Sequence, residues 1–335
     1  MNLFGKNLKK NIVVIAEIGL NHGGNLKKAL KIVKLAAEAG FDAVKFQIFS
    51  PEYFISQDNI SRFKKVKKLN LTDKEYLIIK NYTKKIGINM LGSAISEDKV
   101  DLCSKLGSAI KVASGDINFF PTIDRIIKKK KTILLSSGNS TIKEIDNTIK
   151  HIKKKLGRKI KDRLVLLHCV SAYPTPNSQS NVKKIIYLKK KFKDITIGYS
   201  NHCVEPEPIL ASVCFGASLI EVHVTDSKIG KKFRDQLLSF DKRSMKNLVK
   251  SIRNMKETIE LFSKKPMKSE EKVHLMRKGL IANKDIKQGQ YLRSEDISFA
   301  RPATYFSASK VKKIIGRKIN VSLKKGQLFK KTFFN

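Results

Sequence analysis

No run of apolar residues in this 335-residue chain approaches the roughly 20 that a membrane-spanning helix needs. A helical membrane protein is therefore not expected. The opening MNLFGKNLKKN lacks an apolar segment of the secretory kind, so the expected location is cytoplasmic. Cysteine is scarce: Cys103, Cys169, Cys203 and Cys214 form no C-x-x-C pair, which favours reduced thiols over disulfides or a thiolate zinc site. Acidic residues are also few, 29 against 69 lysines and arginines, for a net charge of +40. Such a balance invites a nucleic-acid reading. The lysines, however, are spread through nearly every segment, as in IIKKKK, HIKKKLGRK and YLKKKFK, and no nucleic-acid motif accompanies them. Solvated helix surfaces are the better account, with a basic exterior that steers anionic substrates inward.

What is present in quantity is apolar sequence, 41% of the chain, and it alternates in character. Short β-rich runs fall at 11–19, 41–49, 88–94, 108–114, 131–137, 163–171, 194–200 and 218–225. Between and after them lie helix-like stretches at 25–39, 72–86, 97–106, 118–129, 141–155, 180–192, 206–216 and 240–263. Eight strands alternating with eight helices predict an α/β chain folded as a (β/α)8 TIM barrel over residues 1–263. The stretch 48–71 is long for a loop at the end of a barrel strand and is expected to cover the site. Residues 264–275 are polar enough for a linker, and 276–335 have turn glycines and short strands, suggesting a separate small β-rich domain.

In such a barrel the chemistry sits at the C-terminal ends of the strands. Those ends carry Glu17 with Asn21 and His22, Lys45 with Gln47, Ser93, Lys111 with Ser114, Ser136, His168 with Ser171, Ser200 with His202, and Glu221 with His223. Lys45 and Lys111 each interrupt an apolar strand. A buried unpaired ammonium is costly, so an anion shared between the two lysines is expected, ringed by serine hydroxyls. His202 and His223 end neighbouring strands and could share a divalent metal with positions left open for substrate.

The segments IAEIGLNHGGN, AVKFQ, IKVASGD, LLHCVSAYPTP, IGYSNH and IEVHVT occur in order. Together they resemble the N-acetylneuraminate (sialic acid) synthase family, which includes legionaminic and pseudaminic acid synthases. The tail RKGLIANKDIKQGQ…ISFARP…IIGRKI…LKKGQ resembles that family's SAF, or type III antifreeze-like, domain. The resemblance implies a condensation of phosphoenolpyruvate with an N-acetylated hexose, dependent on a divalent metal (manganese first, magnesium or cobalt as alternatives). It implies His202 and His223 as metal ligands, and Lys45, Ser93, Lys111, Ser114, Ser136, Ser171 and Ser200 around phosphoenolpyruvate. Glu17 and Asp116 are the implied catalytic carboxylates, Asp116 standing where the family usually has glutamate. Gln47, Tyr173 and Asp235 are implied on the sugar side. Arg301 is the arginine that a domain-exchanged homodimer would insert into the partner's barrel.

The departures from the family pattern are Gly92-Ser93-Ala94-Ile95 at the third strand end, Ser171, Asn201, Val222 and Gln236. They bear on substrate choice and turnover. A 2,4-diacetamido-trideoxy hexose acceptor and a degenerate, non-catalytic sugar-binding barrel stay open as alternatives. Neither a membrane partner nor a nucleic acid is expected.

Overall fold

The computed structural model describes residues 1–228 and 234–334. The chain divides between Glu260 and Leu261 into two compact units. In the first unit eight parallel strands close into a barrel. They are β1 (Val13–Gly19), β2 (Ala43–Ile48), β3 (Asn89–Ala94), β4 (Ala109–Val112), β5 (Thr132–Ser136), β6 (Leu164–His168), β7 (Thr196–Asn201) and β8 (Leu219–His223). Closure runs through β8 and β1, where Leu219 pairs with Val13 and His223 with Glu17. The helices that follow the strands are α1 (Leu26–Glu38), α2 (Asp73–Ile86), α3 (Val100–Leu106), α4 (Phe120–Lys128), α5 (Ile142–Leu156), α6 (Lys184–Lys191), α7 (Glu207–Cys214) and α8 (Lys242–Glu260).

The helices form where an apolar stripe recurs at helical spacing, and Asn25, Thr72 and Thr141 cap the first turns of α1, α2 and α5 with their side chains. α2 and α5 carry full capping boxes, Thr72 with Glu75 and Thr141 with Glu144. Strand alternation then sorts the interior from the helix layer. Val14, Ala16 and Ile18 of β1 belong to the core beneath the helices, whereas Val13 and Ile15 face into the barrel. The lower interior is apolar, filled by Val13, Ile15, Leu91, Leu134, Val165 and Leu219. An unanticipated hairpin at Asn2–Leu3 and Lys6–Asn7 plugs this end with Leu3 and Leu8.

The other end of the barrel reverses that chemistry, because the inward positions one or two residues further along the strands are charged or hydroxylic. Several strands stop short of their expected ends. β6 finishes at His168, which leaves Ser171 in the following loop, and Ser114–Asp116 form a 3-10 turn after β4. The long segment after β2 contains helices at Pro51–Phe54 and Ile60–Leu69. Phe49, Ile55 and Val66 of this segment pack with Leu20, so it lies over the loop that follows β1.

The second unit pairs β9 (Gly279–Ala282) with β10 (Ile297–Ala300) antiparallel. Its own apolar core includes Leu280, Ile286, Leu292, Ile314, Ile319 and Phe329. Among the described residues no helix is long and apolar enough to cross a membrane.

Candidate active site

Parallel register brings the polar strand ends to one level. Ser200 lies beside Glu221, His223 beside Glu17, and Glu17 beside Lys45. Gln47 is level with Ser93, and Ser93 with Lys111. A narrow cavity of about 60 Å³ opens among Glu17, Lys45, Lys111, Ser136, His202 and His223. Gln47, Ser93, Ser114, Tyr173, Ser200 and Glu221 complete its polar lining. At roughly 10–15 Å³ per water on this measure, its foot suits a phosphate or carboxylate group rather than a sugar ring.

Four ionisable side chains form a buried row. Lys45 Nζ lies 3.0 Å from Glu17 Oε2 and 3.0 Å from Glu221 Oε2. Lys111 Nζ lies 3.3 Å from Glu221 Oε1, which also accepts a 2.8 Å hydrogen bond from the Ser200 hydroxyl. From β8, Glu221 thus pairs with both lysines, between which the sequence led us to expect a shared anion. The sequence places Glu221 among the polar strand ends but assigns it no role. Its signal was there, two residues before His223 and hence on the same strand face.

The row's protonation follows from burial and pairing. Burial pushes Glu17 up to about 7, against the pull of Lys45 and helped by the nearby Glu221 carboxylate. Burial alone would also raise Glu221, but the Lys111 and Lys45 ammoniums hold it below the usual carboxylate range. Lys45 is pulled down by burial, yet its two carboxylate partners raise it overall. Lys111 is lowered, because burial and the Lys45 charge outweigh Glu221. When Glu17 carries its proton and both lysines theirs, the row has two ammoniums for one carboxylate. That surplus favours an anion.

A pH-dependent stability follows. A carboxyl group raised above its ordinary 4.5 contributes stability that is fully present below that pH and lost as pH rises through about 7. Glu17→Gln keeps the neutral form at every pH. In chelator-treated protein its Tm relative to wild type should therefore increase between pH 5 and pH 8, reflecting at most about 3 kcal/mol. A difference flat across that window would show that Glu17 does not titrate there.

Gly19 explains why β1 ends on a glycine turn. It adopts φ +53°, and a Cβ there would sit 2.9 Å from Glu17 Oε1 and 3.4 Å from Gln47 Nε2. The glycine makes room for the carboxyl group of its own strand. Asn21 serves the scaffold, its amide donating to the Val224 carbonyl at 2.8 Å and to Ser239 Oγ at 2.9 Å, which ties the loops after β1 and β8 together. His22 Nδ1 accepts from Gly24 N. His168 Nε2 bonds the Ser180 carbonyl at 2.9 Å, a structural role.

The two remaining histidines face each other, with ring centroids 5.5 Å apart. His202 Nδ1 bonds the Val170 carbonyl, which leaves Nε2 for another partner. His223 Nδ1 is buried without a hydrogen-bond partner among the described residues. Burial holds His202 near 4 and His223 well below its ordinary value, so both rings are neutral, the ligating form. The pair therefore fits a divalent metal. Among the described residues no group of three or more His, Cys, Asp and Glu is placed to hold one, so two imidazoles are what the protein offers here. Tyr173 lies against His202, with ring centroids 4.0 Å apart and planes tilted by 37°.

On the other side of the cavity, hydroxyls gather. The Ser136 hydroxyl is buried without a hydrogen-bond partner among the described residues. Ser114 Oγ accepts from Gly138 N at 3.1 Å, and a Cβ on Gly138 would lie 2.3 Å from Ser171 Oγ and 2.8 Å from Ser114 Oγ. Ser171 thus joins the serine group although it does not line the cavity itself.

Three further sequence-derived candidates lie outside the cavity lining. Asp116 occupies the turn after β4, where burial pushes it up to about 6 against the opposing Lys111 charge. Asp235 is buried in the short helix Arg234–Leu237. Arg301 is exposed on the second unit.

The departures from the family pattern are locally accommodated. Val222 is fully buried in the core under the helices rather than in the cavity. Asn201 donates from Nδ2 to the Cys203 carbonyl at 2.7 Å and accepts from Tyr199 OH at 3.0 Å. An aspartate could not make the first of these bonds. At Gly92 a Cβ would sit 2.6 Å from Cys103 Sγ and 2.8 Å from Ile48 Cδ1, so helix α3 packs too closely for a side chain.

The NeuB family model matches residues 32–264, most of the chain. The chain belongs to the NeuB family. A SAF domain match follows at residues 277–334, where the second unit has its core. An uncharacterised protein of Methanocaldococcus jannaschii is 36% identical over 308 residues, covering 91% of this chain and 89% of that protein. The N,N'-diacetyllegionaminic acid synthase of Campylobacter jejuni is 33% identical over 336 residues, 96% of this chain and 99% of the relative. Among solved structures, the N-acetylneuraminic acid synthetase of Leptospira borgpetersenii in complex with citrate superposes with a TM-score of 0.72 at 29% identity, covering 78% of this chain and 90% of that one. The NeuB-family barrel thus accounts for both the closed strand order and the position of the polar strand ends.

Proposed function

We propose that this NeuB-family chain condenses phosphoenolpyruvate with an N-acetylated hexose of the N-acetylmannosamine type and water, releasing phosphate and a nine-carbon nonulosonic acid. The observation that carries the reading is the buried Glu17–Lys45–Glu221–Lys111 row beside the facing His202–His223 pair. The two ammoniums neutralise the phosphate and carboxylate of phosphoenolpyruvate, Ser93, Ser114 and Ser136 donate to its oxygens, Ser171 stands behind them beside Ser114, and Ser200 keeps its bond to Glu221. His202 and His223 would hold a divalent ion, manganese by preference over magnesium or cobalt, which polarises the sugar's carbonyl oxygen when bound.

The enol C3 of phosphoenolpyruvate forms the new carbon–carbon bond at the open-chain aldehyde. Water adds at C2, and the C2–O bond to phosphate breaks. Glu17, poised near neutrality, moves a proton at the reacting carbons, and Asp116 is the second carboxyl group on the phosphoenolpyruvate side. Gln47, Tyr173 and Asp235 orient the sugar. A 2,4-diacetamido-trideoxy acceptor, giving a legionaminic-type product, is the second reading, favoured by the Campylobacter relative that matches 96% of the chain. Phosphate release from phosphoenolpyruvate with manganese, assayed against a panel of both acceptor types, tests the proposal. Release with none of them would refute it.

The same reading includes a two-fold dimer in which Arg301 from one subunit's SAF domain completes the partner's site, its guanidinium hydrogen-bonding the N-acetyl carbonyl. Mixing inactive His202→Ala subunits with inactive Arg301→Ala subunits should restore part of the activity, since one site per mixed dimer regains both groups. No recovery despite demonstrated exchange would rule the arrangement out.

A further inference from the structure

We infer that the N-terminal face of the barrel, opposite the strand ends just described, carries a second anion site for a small molecule bearing two or more linked phosphates. A cavity of about 470 Å³ opens there, within the size range of ligand sites, roughly 300–1,000 Å³. Lys9, Lys161, Lys189 and Lys193 line it. These lysines come from four separate places in the chain: the end of the N-terminal hairpin, the short helix Ile160–Arg163, helix α6 and the loop before β7. The fold, not a charge run, brings them together.

None of the four ammoniums comes within 4.0 Å of a carboxylate among the described residues, although Asp162 and Asp194 line the same cavity. Asp162 instead pairs with the Met1 amino group, at 3.9 Å. Elsewhere on this barrel, basic side chains near acids do pair, as Lys129 with Asp101 at 2.7 Å and Lys155 with Asp124 at 2.7 Å. Four like charges gathered around a concavity repel one another unless an anion joins them. Thr196 and Ser218 add hydroxyls to the wall. Gly216 leaves space for Lys189, whose Nζ lies 2.0 Å from where a Cβ would stand.

The surrounding surface carries the same sign. In a parallel barrel the helices return toward this face, and the last turns of four of them carry two or three basic residues each: Lys84 and Lys85 of α2, Arg125 and Lys128 of α4, Lys153 to Lys155 of α5, Lys189 to Lys191 of α6. That field draws polyanions toward the cavity. Four ammoniums in a space this size match a chain of phosphates better than a single one. Either a nucleoside triphosphate or an inorganic phosphate chain supplies that chemistry.

Calorimetric titration of the full-length, metal-stripped protein with ATP and with sodium tripolyphosphate, both in 150 mM KCl, tests the site. The expected result is one saturable site per chain, weakened at least ten-fold in Lys189→Gln/Lys193→Gln. Binding should be unchanged in the control Lys312→Gln/Lys313→Gln on the second unit and in Lys111→Met at the barrel mouth. Equal affinities for the two probes would identify the phosphate chain alone as the ligand, and tighter ATP binding would identify a nucleotide. Absence of saturable binding overturns the inference. So does binding lost in Lys111→Met and kept in Lys189→Gln/Lys193→Gln, which would place the anion in the strand-end cavity. A DNA duplex that displaces both probes through the same lysines would make the face a nucleic-acid surface instead.

Discussion

Replacing either His202 or His223 with alanine should lower manganese affinity at least 100-fold and slow condensation by roughly 1,000-fold, about 4 kcal/mol of barrier. The effect is expected to be this large because the protein offers two imidazoles and, among the described residues, no group of three or more potential ligands that could share the task. Both rings are buried and held neutral, so each is already in the state that binds a cation. His202 is also fixed in orientation by its bond to the Val170 carbonyl, which leaves Nε2 open to another partner. Manganese binding followed by electron paramagnetic resonance reads affinity without needing turnover. His168→Ala is the control: that ring bonds the Ser180 carbonyl, so its loss should reduce stability while metal affinity holds. Full activity of the His202→Ala/His223→Ala double variant in metal-stripped buffer would sink the assignment.

Lys111→Met and Lys45→Met should each raise the KM for phosphoenolpyruvate at least 100-fold while leaving the KM for the sugar within a few-fold. Each methionine retains much of the volume and removes one of the two positive charges facing the anion. Lys45→Met carries the larger penalty to the fold, because Lys45 separates two carboxylates at 3.0 Å each. Without it Glu17 loses its ammonium partner while Glu221 keeps only Lys111 and Ser200, and the loss of one partner in such a buried group costs about 3–5 kcal/mol. Lys111→Met leaves Glu221 paired to Lys45 and bonded by Ser200, so it should fold with less loss. Adding Glu221→Gln to Lys111→Met should recover stability and leave phosphoenolpyruvate binding weak. A change confined to the sugar's KM would show that the lysines do not face the anion.

The barrel was legible along the chain because its information is periodic and local. Apolar runs such as NIVVIAEIG and FDAVKFQIF mark strands, stretches such as NLKKALKIVKLAAEAG mark helices, and their alternation over about 260 residues admits few architectures. Glu17, Lys45, Lys111, His202 and His223 could be picked out for the same reason, each a polar residue interrupting or ending an apolar strand. The second unit announced itself by losing helical periodicity after residue 263.

What stayed hidden depends on which residues meet across the barrel. Lys111 and Glu221 are 110 positions apart, and no local pattern says that one neutralises the other. That contact turns two lysines awaiting an anion into a four-membered row whose charge balance depends on the protonation of Glu17. The roles of Gly19 and Gly92 are likewise set by what stands opposite them, a carboxylate in one case and Cys103 in the other. Short strand ends such as His168 were overrun in the reading because apolar content continues past the last ladder hydrogen bond. The lysines looked dispersed along the sequence, yet returning helices carry many of them to one face. Sequence patterning fixes which side chains are polar where a strand ends, because that depends on neighbours two to four residues away. Barrel closure fixes their partners, their protonation and their shared surfaces, because those depend on distances of a few ångströms between residues far apart in the chain.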